Sequence, residues 1–353
     1  MTHWFPRKAI VIGFFAFTTT AISFAEIRQT VQIDLQNSIA MGGGETLSLA
    51  TGTGQFKLQS SGNRNVKGYL GLQADINQES SITLNRAYIK TRWDTFTVNA
   101  GKTRLSWGEG AVFNAADVVM GGSDLALDLA ADEFRSNSRW LVSVTKSHGR
   151  FSFTELVMLP PNQDPLEPIS STNISHAKIA IRTQFQVPAL AKTKVEMGYA
   201  LADDYHQPYV SLQGGNGINW HLSASLQPDK SINTSGGLYG VKDVGEQSTL
   251  NYRTELLVRS SGETSEQPSA DSYLAYGYLE IGLSTGGRVS YFNRNLISPV
   301  DQSALVLLGS NINLHQGLNL FGNASLQFGD ENDAFSSQNI GAQSYTVGLS
   351  FIY

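Results

Sequence analysis

The sequence closes on Ser344-Tyr345-Thr346-Val347-Gly348-Leu349-Ser350-Phe351-Ile352-Tyr353. Tyr345, Val347, Leu349, Phe351 and Tyr353 fall on one side of an extended chain, and Ser344, Thr346, Gly348 and Ser350 on the other. Successive strand side chains point to opposite faces, so this period of two divides an apolar face from a polar one. The last apolar position is an aromatic.

The same period runs back through the chain. In 317–328, Leu318, Leu320, Gly322, Ala324, Leu326 and Phe328 oppose Asn319, Asn323, Ser325 and Gln327. In 248–260, Leu250, Tyr252, Leu256 and Val258 oppose Asn251, Arg253, Glu255 and Arg259; 218–226 and 175–187 alternate likewise. Phe321 and Leu257 are the exceptions, apolar on the polar face. No stretch beyond residue 25 sustains a helical period, and the longest aliphatic run there is Ala304 to Leu308. Many alternating segments reach ten to thirteen residues. That suits a tilted membrane strand of about 9–11 residues better than a sandwich strand of about 5–6. Aromatics sit near segment ends (Tyr69, Trp93, Phe96, Trp140, Phe151, Tyr209, Trp220, Tyr273, Tyr291), as interfacial girdles require. The expected fold is all-β: a transmembrane antiparallel up-and-down barrel. The closing segment resembles the terminal strand of bacterial outer-membrane barrels, where such a strand is the assembly signal.

Composition agrees. Of 353 residues 16% are charged, the net charge is −5, and there are 34 Gly, 6 His and no Cys. This excludes a disulfide framework and thiolate metal sites and disfavours a nucleic-acid binder. No cofactor or metal is expected. Residues 1–25 have a basic start (Arg7, Lys8), a nine-residue apolar run (Ala9 to Phe17) and small Ser23 and Ala25. They are expected to be a secretory signal peptide, with 26–353 forming one barrel domain.

Eighteen strands are expected: 28–38, 53–60, 65–76, 81–92, 95–104, 137–147, 150–159, 175–187, 192–203, 207–214, 218–226, 234–243, 248–260, 272–284, 286–296, 303–313, 317–328 and 343–353. Sixteen is the alternative if 53–60 and 234–243 do not span. With the first strand starting at the periplasm, connections rich in Gly, Asn, Asp or Pro become short periplasmic turns. The long connections 39–52, 105–136, 160–174, 261–271 and 329–342 fall outside. Gly42-Gly43-Gly44 reads as a flexible loop tip.

The connection 105–136 is long and not wholly polar. It contains Leu125, Leu127, Leu129 and Phe134, which are costly to leave in water. It is therefore expected to fold into the lumen. Its entrance, Arg104-x-x-Trp107-Gly108-Glu109-Gly110 followed by Asn114 and Asp117, resembles a motif of bacterial outer-membrane porin-like barrels and, more distantly, of alginate-export-type barrels. The resemblance implies a barrel of similar strand count and no particular substrate. The loop carries Glu109, Asp117, Asp124, Asp128, Asp132 and Glu133 against Arg104 and Arg135. The polar faces of the later strands carry Lys178, Arg182, Lys194, Arg253, Arg259, Arg288 and Arg294 against Glu196, Glu255 and Glu280. Opposed rows of this kind either make a transverse field across a passage or pin the loop by ion pairs.

The functional expectation is a channel for passive passage of small polar or charged solutes, with the loop setting size and charge preference. The alternative is a plugged structural or export-assembly barrel acting with a partner. A hydrolase is the third reading, and its only candidate grouping is Asp203, Asp204 and His206 at an outer turn. Expected partners are outer-membrane lipid and lipopolysaccharide, the solute, and the barrel-assembly machinery through Tyr353.

Overall fold

The computed structural model describes residues 26–353 except 64, 77–79, 123–126, 128, 132–133, 135–136, 162–175, 188–192, 203–204, 261–272 and 339–340. Residues 1–25, expected to be a signal peptide, and Asp124, Asp128, Asp203 and Asp204 therefore lie outside the described residues.

Eighteen strands follow one another: β1 (Glu26–Gly42), β2 (Glu45–Asn63), β3 (Val66–Ile76), β4 (Ser81–Trp93), β5 (Phe96–Thr103), β6 (Arg139–Ser147), β7 (Ser152–Leu159), β8 (Lys178–Val187) and β9 (Thr193–Ala202). The second half comprises β10 (Tyr205–Asn216), β11 (Ile218–Leu226), β12 (Ile232–Asp243), β13 (Ser248–Ser260), β14 (Tyr273–Thr285), β15 (Val289–Ser298), β16 (Ser303–His315), β17 (Leu318–Phe328) and β18 (Gln343–Ile352). Each pairs antiparallel with its chain neighbours, and β1 pairs with β18 from Gln32↔Ile352 to Met41↔Gln343, closing the barrel. Val31 and Tyr353 exchange backbone hydrogen bonds of 2.9 and 2.8 Å across the seam. Closure leaves no unpaired strand edge, which is the condition for crossing hydrocarbon with strands.

Alternation decides which side chains face out. Leu256 and Val258 are exposed, whereas Glu255 and Leu257 between them are buried. Leu279 and Ile281 flank buried Glu280 in the same way. The outer surface is an apolar belt, and the polar face lines the lumen. Connections at one end never exceed five residues. Asp94 and Gln316 take positive φ in two of these turns.

Three expectations are corrected. The stretch 39–52 is a tight hairpin: Gly42, Gly43 and Gly44 all have positive φ, and β1 pairs with β2 from Glu26↔Ser61 to Gly42↔Glu45. The segments 53–60 and 234–243 lie within full strands, so the count of sixteen falls. Tyr209 and Tyr69 are not girdle residues. Tyr209 is buried against Trp107, with ring centroids 5.6 Å apart, and Tyr69 stacks on Tyr88 at 5.4 Å on the polar face. Trp93, Phe96, Phe151 and Tyr291 are exposed, as a girdle requires.

The face assignment has a direct consequence. Leu256→Arg places a charge in lipid near the middle of β13 and is expected to cost about 2–4 kcal/mol. Gln55→Arg, on the lumen face of β2, is expected to stay within about 0.5 kcal/mol. Urea titration of the two variants folded into vesicles reads the difference.

Candidate functional site: a segment pinned inside the barrel

The segment between β5 and β6 leaves the sheet at Thr103 and returns at Arg139. It contacts the wall from β6 to β16 through side chains of the polar face. A peptide outside the barrel could not reach that face, so the segment runs through the lumen.

An irregular peptide there has no strand partner for its N–H and C=O groups, and buried orphans are costly. Charged wall side chains take that role. Glu255 accepts three successive backbone N–H groups: Ala111 at 3.0 Å, Val112 at 2.9 Å and Phe113 at 2.7 Å. Glu196 accepts from Gly108 N at 2.7 Å and from the Tyr209 hydroxyl at 2.8 Å. Ser235 Oγ accepts from Ala115 N at 2.8 Å. Wall cations bind segment carbonyls. Arg182 donates to Ser106 O at 3.3 Å, Lys178 to Val118 O, and Arg294 to Leu129 O at 2.5 Å and Ala131 O at 2.9 Å.

The Trp-Gly motif is a packing unit. Trp107 is fully buried; its Nε1 donates to Glu155 Oε2 at 3.2 Å, and the Arg182 guanidinium lies 5.3 Å from its ring centroid. Asn114 folds the segment back, donating to Trp107 O at 2.8 Å and accepting from Ala116 N at 3.2 Å. Asp117 is buried and accepts from Met120 N at 3.1 Å. Gly108 has φ +72°, and a Cβ there would lie 2.5 Å from Ala116 Cβ, so the turn needs glycine twice over. Arg104 borders the cavity described below.

The seat is made of small residues. Ala180, Ala200, Ala202, Ser211, Ser223, Ser225 and Ser235 are all buried on the inner faces of β8–β12. Two apolar clusters complete it. Val118, Val119 and Met120 pack with Leu141, Val157 and Leu159. Val112, Phe113, Leu129 and Phe134 pack with Leu257, Tyr278, Leu296, Leu307 and, from the connection after β17, Phe335.

Asp124, Asp128, Asp132 and Glu133 lie outside the described residues. Among the described residues the partners of the wall cations are mostly wall glutamates. Arg182 bridges Glu155 at 2.8 Å and Glu196 at 3.1 Å. Arg253 pairs with Glu255 at 3.0 Å and stands 3.9 Å from Glu280, while Arg294 pairs with Glu280 at 3.1 Å. Arg259 binds Asp229 in the β11–β12 turn at 2.6 Å. Arg288 is exposed in the turn between β14 and β15, away from the pinned segment. Glu155 is absent from the sequence-based roster; its place opposite Arg182 in the β7–β8 register was the available signal. Also missed was a basic inner wall on β1–β5. There Lys67 pairs in register with Lys90, Gln59 with Tyr69, Arg28 with Gln59, Lys57 with Gly71 and Arg92 with Thr97.

A cavity of about 670 Å³ remains between the segment and the wall. Arg104, Gly110 and Asn114 border it on one side, and Tyr239, Asn251, Arg253 and Arg294 on the other. At the long-connection end Asp301 latches the connection after β17. Asp301 accepts from Ser303 N at 3.1 Å, Ser303 Oγ at 2.7 Å and Ala334 N at 2.8 Å, which fixes the chain beside buried Phe335. Partial burial pushes the Asp301 carboxyl up, but hydrogen bonds from Ser298, Ala334 and Ser303 outweigh it and hold the pKa at about 2.

Glu255→Gln leaves one amide oxygen where two carboxylate oxygens serve three N–H groups. Orphaning a buried N–H costs about 1–3 kcal/mol. The variant is expected to show larger current fluctuations in single-channel records than the parent. Because Asp301 has a depressed folded pKa, its contribution is complete above the ordinary carboxylate range and is lost as pH falls toward about 2. Asp301→Ala is expected to speed amide exchange at Ala334 and Phe335 at neutral pH, and acidification to do the same in the parent.

No protein-family model and no curated protein sequence matches the chain. Solved structures do. OccK2 (OpdF) of Pseudomonas aeruginosa superposes with a TM-score of 0.61 at 13% identity, over 93% of this chain and 97% of that one. OccAB4 of Acinetobacter baumannii gives 0.59 at 9% identity, over 93% and 98%. The P. aeruginosa outer membrane protein opdK gives 0.56 at 9% identity, over 92% and 98%. At these identities the likeness establishes the fold: a closed barrel of the outer-membrane type.

Proposed function

We propose that the chain is an outer-membrane channel for passive passage of small polar or charged solutes, with the segment 104–138 setting size and charge preference. The observation that carries this reading is the cavity of about 670 Å³ beside the pinned segment, lined largely by polar and charged side chains. A plug would fill that space with apolar groups. Here much of the segment's apolar surface packs against the wall, and Arg104, Ser106, Asn114, Asp117 and Asn137 border the gap together with Leu105, Ala111, Met120 and Phe134. The pore-loop set Arg104, Trp107, Gly108, Glu109, Asn114 and Asp117 divides in this reading. Trp107, Gly108, Asn114 and Asp117 hold the shape, Arg104 borders the cavity, and Glu109 stands in the turn beside it. The likeness of the entrance motif to porin-like barrels supports the same reading.

Arg253 is the wall cation best placed to meet a solute. It borders the cavity, and a quarter of its side chain is exposed despite its pairs. A guanidinium in that position favours a carboxylate-bearing solute. OccK2 has also been solved in complex with glucuronate, at 12% identity to this chain. The apolar belt implies a surround of outer-membrane lipid, with lipopolysaccharide at the long-connection end and the short turns in the periplasm. The strand ending at Tyr353 is the natural handle for the barrel-assembly machinery.

Proteoliposome swelling tests the function. Entry of glucuronate is expected to exceed that of glucose, and Arg253→Ala is expected to lower the glucuronate rate several-fold while sparing glucose. Equal impermeability to both in vesicles containing folded protein contradicts a diffusion channel.

A further inference from the structure

Most described charges on the inner wall of β7–β15 have a partner. Arg182 lies between two glutamates, Glu255 holds the segment, and Glu280 is shared by Arg294 and Arg253. Glu109 differs. It sits at the apex of a turn between Gly108, with φ +72°, and Gly110, with φ +126°. A Cβ at Gly110 would lie 2.2 Å from Phe113 O, so the backbone on this side is fixed. Among the described residues Glu109 forms no hydrogen bond and no ion pair, although neighbouring residues bind the wall at 2.7 and 3.0 Å. The Glu109 side chain is half-buried, and Gly110 beside it borders the cavity.

The charges around it come from three strands. Lys194 and Glu196 face it from β9, Arg253 and Glu255 from β13, and the Tyr239 hydroxyl from β12. On β11, His221 lies beside Gly110 and 3.9 Å from Glu255. Tyr239 and Arg253 border the cavity. Glu196 and Glu255 are held by backbone N–H groups and by Arg182 and Arg253, so Glu109 is the acid of this group without such a partner among the described residues.

We propose that Glu109 sets the charge preference of the passage and that its protonation turns that preference toward anions. The inference rests on the channel reading above. Ionised, Glu109 adds a negative charge beside Lys194 and Arg253; neutral, it withdraws that charge and tips the local balance toward the cations in a confined space, where fields act strongly on ions. Burial is the main influence on this carboxyl and pushes its pKa up. Glu196 and Glu255 push the same way, and Lys194 and Arg253 oppose them. The net rise moves the switch from the ordinary carboxylate range toward neutral pH.

The test is the reversal potential of the full chain in a planar bilayer under a KCl gradient, stepped from about pH 8 to about pH 4. The ratio of cation to anion permeability is expected to fall by roughly threefold or more across that range. Glu109→Gln should sit at the acid value throughout, and Glu109→Asp should keep the titration. Heat-modifiable gel mobility checks that each variant is folded. A parent that does not titrate, or a Glu109→Gln variant that titrates like the parent, overturns the inference while leaving the channel intact. Silence from folded protein overturns the channel reading and this inference with it.

Discussion

Every backbone N–H and C=O removed from water must find a partner, and that requirement shapes this molecule twice. In the hydrocarbon layer it closes eighteen strands on themselves, with Val31 and Tyr353 sealing the last gap. Inside the lumen it acts on a peptide that belongs to no sheet. There the partners are carboxylates and guanidiniums projecting from the wall. Glu255 does most, receiving three consecutive N–H groups at 2.7 to 3.0 Å. With that carboxylate in place, Phe113 can enter its apolar cluster and the cavity acquires a fixed border.

The same requirement explains why, among the described residues, the wall cations pair chiefly with wall glutamates. A carboxylate that accepts backbone N–H groups is strongly hydrogen-bonded, and a guanidinium beside it adds a charge-assisted pair. Glu155, Glu196, Glu255 and Glu280 thus neutralise Arg182, Arg253 and Arg294 within one wall. In the channel reading, the charge left for a solute is what pinning leaves over. On this side of the lumen it is the exposed quarter of Arg253, with Lys194 and Glu109; across the lumen it is the basic inner wall of β1–β5.

The barrel was legible because lipid and lumen impose a period of two that no other architecture sustains over eighteen segments. What escaped was local. The β1–β2 hairpin read as a loop because its three glycines and short polar run hide the alternation of Ile39, Met41, Leu47 and Leu49. Tyr209 and Tyr69 read as girdle residues because an aromatic near a strand end looks alike whether it faces lipid or lumen. Their parity with Gln207 and Ser211, and with Lys67, told the difference. Leu257 stood out as apolar on the polar face, and it marks the seat where Phe113 and Leu129 dock. Trp107, Gly108, Asn114 and Asp117 were legible as a unit; their partners Glu155, Glu196 and Tyr209 lie 48 to 102 positions away, and only the register brings them together.

The central claim is that the pinned segment narrows the lumen without filling it. Single-channel recording of the folded chain in a planar bilayer tests this most directly. An open gap beside the segment predicts discrete, uniform conductance steps. Insertion of verifiably folded barrels with no step above baseline would contradict the account and point to a filled lumen.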